Sequence, residues 1–233
     1  MAPRSTPPEK TSRKTRGKTV VVVNATGEPQ GGLQKNAQQT NGRQAQKARE
    51  TREKILNAVI SLIQEGGFAS ASSSKIAERA GVTWGAVQHH FGAKEDILRA
   101  ILNLSHEKFI ALTSDKSIRE GSMADRVDLF VDAMWLHYQS DLYLAALEIL
   151  LAARGMSQVH DSITAMRDAH LKMLRETFPA SRLGDDEIIE ALIFAHCVLT
   201  GLTIEGVLEK NLQNLDRHKR RIKFIMLAML DGL

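Results

Sequence analysis

Gln88, His89 and His90 follow one another in the short stretch Thr83 to Phe91, and their side chains offer the donors and acceptors that read polar surfaces. Two adjacent imidazoles are also a metal cue. On a helix, however, neighbours point about 100° apart, and no third ligand stands nearby, so no metal is expected. Cys197 beside His196 is weighed as a thiol–imidazole pair, but the same divergence separates them. The expectation is a buried thiol in a reducing compartment. A single cysteine also rules out an internal disulfide framework. Paired catalytic carboxylates, a phosphate-binding glycine loop, a His-Glu-x-x-His helix and a nucleophile elbow are all missing from the sequence. What remains is recognition chemistry, so neither enzyme activity nor a cofactor is expected.

The elements that must present these residues are short. Ser72, Ser73 or Ser74 can cap a helix carrying Ile76, Ala77 and Ala80 and stopped by Gly81. Thr83 caps a second helix, Trp84 to His90, which Gly92 ends. Together Ser72–Phe91 has the layout of a helix-turn-helix. Ala77 is small enough for close helix approach, Gly81 permits the positive φ of the turn, and Ile76, Val82 and Val87 supply the apolar contacts between the helices. Trp84, Gly85, Ala86, Gln88 and His89 are then left on the outer face, where such a helix meets base edges. Trp84, placed just after a cap, is expected to be exposed, and Phe91 to be core.

The rest of the chain reads as helix without strands, an all-α protein. Ile55, Leu56, Val59, Ile60, Leu62 and Ile63 line one face of a helix starting near Thr51 and stopped at Gly66-Gly67. A further helix begins at Ala93–Asp96 and reaches about Phe109, followed by segments 123–140, 142–154, 159–178, 185–209 and 215–230. Residues 1–48 are rich in Pro, Gly and basic residues and have no period, so a disordered arm is expected. Its four valines, Val20 to Val23, are too few for the apolar region of a signal peptide. Apolar runs are short, so no membrane span is expected, and the location expected is cytoplasmic. The net charge of +4 hides an asymmetry: residues 1–54 carry 12 basic and 4 acidic residues, a front suited to an anionic partner on an acidic body. Arg43, Lys47, Arg49, Arg52 and Lys54 are read as reaching adjacent phosphates or the minor groove ahead of the first helix, adding affinity more than discrimination.

Thr51-Arg52-Glu53-Lys54-Ile55-Leu56, Gly67-Phe68, Ile76-Ala77-Glu78-Arg79-Ala80-Gly81-Val82-Thr83, His90-Phe91 and Lys94-Glu95-x-Ile97-Leu98 keep a consistent spacing over about residues 51–100. This constellation resembles the N-terminal DNA-binding domain of the tetracycline-repressor (TetR/AcrR-type) family of transcriptional regulators. The resemblance implies that Thr83, Trp84, Gly85 and Ala86 begin a recognition helix in the major groove. It implies that Ser72 meets a phosphate, that His90 and Lys94 touch the backbone, and that Ser74 stands where relatives place a longer base-reaching residue. Lys94 at a helix start suits that role, since a charge beside free N–H groups holds phosphate. Gln88 departs from the family's usual tyrosine, which leaves open whether it reads a base, as in bidentate adenine recognition, or contacts the backbone.

The same resemblance implies three regions: the arm 1–48, a DNA-binding domain 49–108, and a helical effector-binding and dimerisation domain 109–233. The last two helices would pair with those of a second copy, and Gly201 and Gly206 permit close packing. The basic run Arg217, Lys219, Arg220, Arg221 and Lys223 is read as a solvated face or as partner to acids such as Asp185, Asp186 and Glu187. An apolar pocket with a few polar handles would take an unidentified small-molecule effector; its candidate residues are Met134, Trp135, Tyr138, Met166, His170, Met173, Phe194, His196 and Cys197, each weighed against plain core packing. The function expected is a homodimeric repressor that leaves its double-stranded DNA operator when ligand tilts the helix after the helix-turn-helix. The alternatives are an activator, or a helical ligand-binding adaptor without operator binding.

Overall fold

A computed structural model of the chain describes residues 32–154, 157–179, 181, 183–209 and 215–231. Among the described residues regular structure is helical throughout. Internal contacts divide the chain into two units, Met1–Lys47 and Ala48–Leu233. The first helix, α1 (Gly32–Gly66), begins well inside the stretch expected to lack structure. The reason is local: after Gly32 the chain turns to Gln, Ala, Lys and Arg, good helix formers, with Gly42 as the one interior breaker. Residues 1–31, with Val20 to Val23, lie outside the described residues.

Within the second unit, α2 (Ser73–Ala80), α3 (Trp84–Phe91) and α4 (Lys94–Thr113) follow the expected order. A 3-10 turn, Phe68–Ser70, joins α1 to α2, and a second, Lys116–Arg119, precedes α5 (Met123–Tyr138). Then come α6 (Asp141–Ala152), α7 (Ser157–Thr177), α8 (Asp185–Leu208) and α9 (Leu215–Asp231). The break between α5 and α6 falls at Ser140, whose hydroxyl accepts from Tyr143 N–H as the cap of α6.

Two cores form. One gathers Ile55, Val59 and Ile63 of α1 with Ile76, Val87, Ile97 and Ile101, and it also takes Ala145, Ala146 and Ile149 from α6. The other joins Phe109 and Ile118 to α5, α7, α8 and α9 around Phe130, Leu174, Phe178 and Ile188. α4 runs unbroken from one core into the other, with Leu102 in the first and Phe109 in the second. α6 bridges them too: Asp141 accepts from Gln64 Nε2 at 2.7 Å, and Glu148 accepts from the Phe68 N–H at 2.6 Å.

α8 bears on the apolar-run and helix-pairing expectations. It is long and apolar enough to cross a membrane by length and composition, because acids interrupt its long apolar run only at the start and at Glu190 and Glu205. Its inner face, with Ile188, Ile189, Leu192, Ala195 and Leu199, packs into the second core. Ile193, Ile204, Val207 and Leu208 instead stay exposed, and a Cβ added at Gly201 or Gly206 would meet nothing within 4 Å.

Candidate DNA-reading site

The site is built from caps. Ser72 accepts from the Lys75 N–H at 3.4 Å and lies 3.3 Å from the Ser74 hydroxyl, starting α2. Gly81 ends α2 at φ 68°, ψ 33°, the left-handed conformation that costs glycine least, and its N–H reaches back to Ala77 and Glu78. Two residues later Thr83 accepts from the Ala86 N–H at 3.1 Å and starts α3. Ile76 and Val87 are fully buried and Ala77 nearly so, so the two helices meet through one small and two branched side chains. Burying such an aliphatic chain stabilises by roughly 1.5–3 kcal/mol.

Within α3 only Val87 is buried. Gly85, Gln88 and His89 are exposed, as is the cap Thr83, while Ala86 and His90 are half-buried. Trp84 differs from expectation: it is half-buried and packs on the first core, because that core extends under the start of α3. Phe91 is likewise only partly buried, and the Arg52 guanidinium lies over its ring, 4.0 Å from the centroid. Arg52 also donates to the His90 carbonyl. A residue read as a phosphate contact thus grips the end of α3.

Lys94 opens α4, its Nζ 5.2 Å from the centroid of the Phe68 ring. The Asp96 carboxylate accepts from the Ala93 N–H at 2.9 Å and pairs with Arg99. One of the N–H groups expected to receive a phosphate is therefore already taken by the chain's own carboxylate. At the Gly92 turn, φ 88°, a Cβ would be strained by the backbone and would sit 2.9 Å from Asp96 Oδ2, displacing that capping carboxylate. None of the long-range pairs could be read from local spacing.

The effector candidates divide. Met134, Trp135, Tyr138 and Met173 are buried in the second core, while Met166, His170 and Phe194 are half-buried. His196 and Cys197 are exposed. The buried-thiol expectation for Cys197 is corrected: it falls on the outer side of α8, on the stripe with Ile193 and Ile204. Tyr138 shares a hydrogen bond with His196 Nδ1, and Tyr143 with Thr200 at 2.6 Å. Sequence reasoning missed Tyr143, His137, Phe109 and His106. Phe109 stacks edge-on with His137, Tyr138 and His170, at centroid distances of 5.6, 6.5 and 5.3 Å. His106 meets His170 at 4.9 Å, and Ser105 meets His137 Nε2 at 3.3 Å. Burial holds the His137 imidazole down at about 4; burial also lowers His170 to about 4, with His106 and His196 adding to it. Burial raises the Tyr143 phenol to about 12 and keeps Tyr138 protonated as well. The cluster is thus neutral, and it joins α4 to α5, α6, α7 and α8. Among the described residues no group of three or more His, Cys, Asp or Glu is arranged to hold a metal ion.

The basic start of α9 finds other acids than expected. Lys219 pairs with Asp132 at 2.7 Å, and Lys223 with Asp132 at 3.1 Å and Asp128 at 3.5 Å. Asp185 and Asp186 pair instead with Arg175 and Arg167 of α7, since α9 packs on α5 and α7 on the start of α8.

A capped, outward-facing α3 set at a glycine turn against α2 and mounted on an all-helical body defines a helix-turn-helix DNA-binding regulator. The profile of the bacterial regulatory proteins of the tetR family matches residues 55–101. The transcriptional regulator UidR of Escherichia coli (strain K12) is 37% identical over 139 residues, covering 59% of this chain and 67% of that protein. SrpR, an HTH-type transcriptional regulator of Pseudomonas putida, is 29% identical over 181 residues, 77% of this chain and 83% of SrpR. The solved structure of a transcriptional regulator from Rhodococcus sp. Rha1 has the same fold, with a TM-score of 0.62 at 18% identity, covering 77% of this chain and 95% of that one. The chain belongs to the TetR family of DNA-binding transcriptional regulators.

Proposed function

We propose that the protein is a homodimeric repressor that leaves its operator when a small molecule enters its helical body. The observation that carries the reading is α3 itself, held by Val87 and its caps, with Gly85, Gln88 and His89 free to meet base edges. Gly85 and Ala86 let the backbone approach the duplex, and Gln88 has the paired donor and acceptor that adenine requires. Thr83, Ser72, Ser74, His90 and Lys94 border that face and suit phosphates, and Trp84 seats the start of the helix.

Dimerisation is supported by the apolar surface that one copy leaves uncovered: Ile193, Ile204, Val207 and Leu208 on α8, with Phe224 and Ile225 on α9. Phe224 is 74% exposed, which a soluble single chain gains nothing by. Effector release is supported by the neutral aromatic and histidine cluster, because α4 enters it through Ser105, His106 and Phe109. A ligand that rearranges this cluster in one state of α4 biases the spacing of two α3 helices, and half-sites on DNA tolerate little mismatch. Mass measurement of the protein on a selected duplex tests the reading. Two chains of 25.8 kDa per duplex support it, and one chain per duplex refutes it.

A further inference from the structure

α3 has eight residues, of which Val87 alone is fully buried while Trp84 packs part-buried at its start, so the far end of the helix needs a further hold to fix its roll. The caps hold its beginning. At its far end the Gly92 N–H satisfies the Gln88 carbonyl, but the last carbonyls of any helix lack partners within it. Arg52, one turn before the buried Ile55 of α1, supplies one: its Nη1 donates to the His90 carbonyl, and its Cζ lies over the Phe91 ring, 4.0 Å from the centroid. A cation at that end also suits the negative pole of the helix.

We propose that Arg52 is a positioning residue for DNA reading: it fixes the roll of α3 by clamping His90 and Phe91 to α1, and so aims Gly85, Gln88 and His89 without itself holding a phosphate. This rests on α3 being the reading helix. Arginine suits the task because its planar fork stacks and donates at once, which a flexible ammonium does less well. The clamp acts on discrimination. Loosening it leaves the charges of the reading head in place, so attraction to any duplex persists while the fit to one sequence is lost.

The experiment uses the full-length protein, a duplex that it selects from a random DNA pool, and a scrambled duplex of the same length. Arg52→Ala and Phe91→Leu are each expected to weaken binding to the selected duplex about tenfold, equivalent to one charged hydrogen bond. Binding to the scrambled duplex and the slope of affinity against salt should stay as in the parent. The double variant should lose little more than Arg52→Ala alone, since both substitutions undo one clamp. Arg52→Lys, which keeps the charge, should restore only part of the discrimination. A salt slope shallower by about 0.9 per chain in Arg52→Ala marks a phosphate contact and overturns the proposal. Equal losses on both duplexes, tracking a lowered melting temperature, mark a merely structural role and overturn it too. A parent that selects no sequence overturns the reading helix and the clamp together, whereas a parent that selects one beside an equally selective Arg52→Ala overturns the clamp alone.

Discussion

Arg79 of α2 closes on Glu65 of α1 as a two-pronged ion pair, with Nη1 2.6 Å from Oε1 and Nη2 2.7 Å from Oε2. Ser61 completes the group, donating to Glu65 at 3.0 Å and accepting from Arg79 at 2.6 Å. An arginine of the helix-turn-helix is therefore spent within the fold, and the reading head carries less free positive charge than its composition implies.

The Arg79 fork, with help from Ser61, holds the Glu65 carboxyl down at about 2, against an ordinary 4.5. A carboxyl lowered in the folded state stabilises above its unfolded pKa, and that contribution fades as pH falls from 4.5 toward 2. Glu65→Gln should therefore melt below the parent at pH 7, with the gap closing over that acid range. Thermal unfolding at stepped pH reads it. A gap independent of pH would show that the pair contributes through shape alone.

The His137 and His170 imidazoles act in the same sense, over a higher pH range. His137 and His170 titrate near 4 when folded and near 6.5 when unfolded, so the unfolded chain binds more protons between those values. Stability should fall as pH drops from 6.5 toward 4, and His170→Phe should flatten that fall. Imidazole resonances of both residues should report the neutral ring at pH 5.5. Protonated rings in a still-folded protein at that pH would contradict the burial argument.

The helix-turn-helix was legible because caps and glycines act locally: Ser72, Gly81, Thr83 and Gly92 each do in the structure what their types and spacing imply. Helix ends in the body came within a few residues for the same reason. The misses are tertiary. Trp84 is half-buried because the first core extends beneath it, and Cys197 is exposed because α8 turns that stripe away from its own chain. The partners of Arg52, Arg79, Lys219 and Lys223 lie 38, 14, 87 and 91 residues away, beyond any periodic pattern. The start of α1 was missed because a polar helix without an apolar stripe carries no period to read.

The uncovered apolar surface gives a prediction about mass. Phe224→Glu, on a side chain already 74% exposed, should leave the fold intact and shift the protein toward a single 25.8 kDa chain in analytical ultracentrifugation. Loss of operator binding should accompany the shift, because two half-sites need two copies. An unchanged dimer would place the contact elsewhere on the molecule.

Lys94 and Gln88 should separate by what they lose. Lys94→Ala should weaken binding to all duplexes and reduce the salt slope by about 0.9 for each phosphate contact removed. Gln88→Ala should leave that slope unchanged. Fluorescence anisotropy across a salt series distinguishes the two, and equal slopes for Lys94→Ala and the parent would remove Lys94 from the phosphate-binding set.

The central claim is that the exposed face of α3 reads DNA sequence, and selection from a random duplex pool tests it most directly. The parent should enrich a two-fold symmetric site with half-sites about one helical turn apart or a multiple of it, ~34–36 Å centre to centre. Gln88→Ala should relax the preference at one position in each half-site. Enrichment of no sequence by the parent, or of an identical sequence by parent and Gln88→Ala with His89→Ala, would contradict the account.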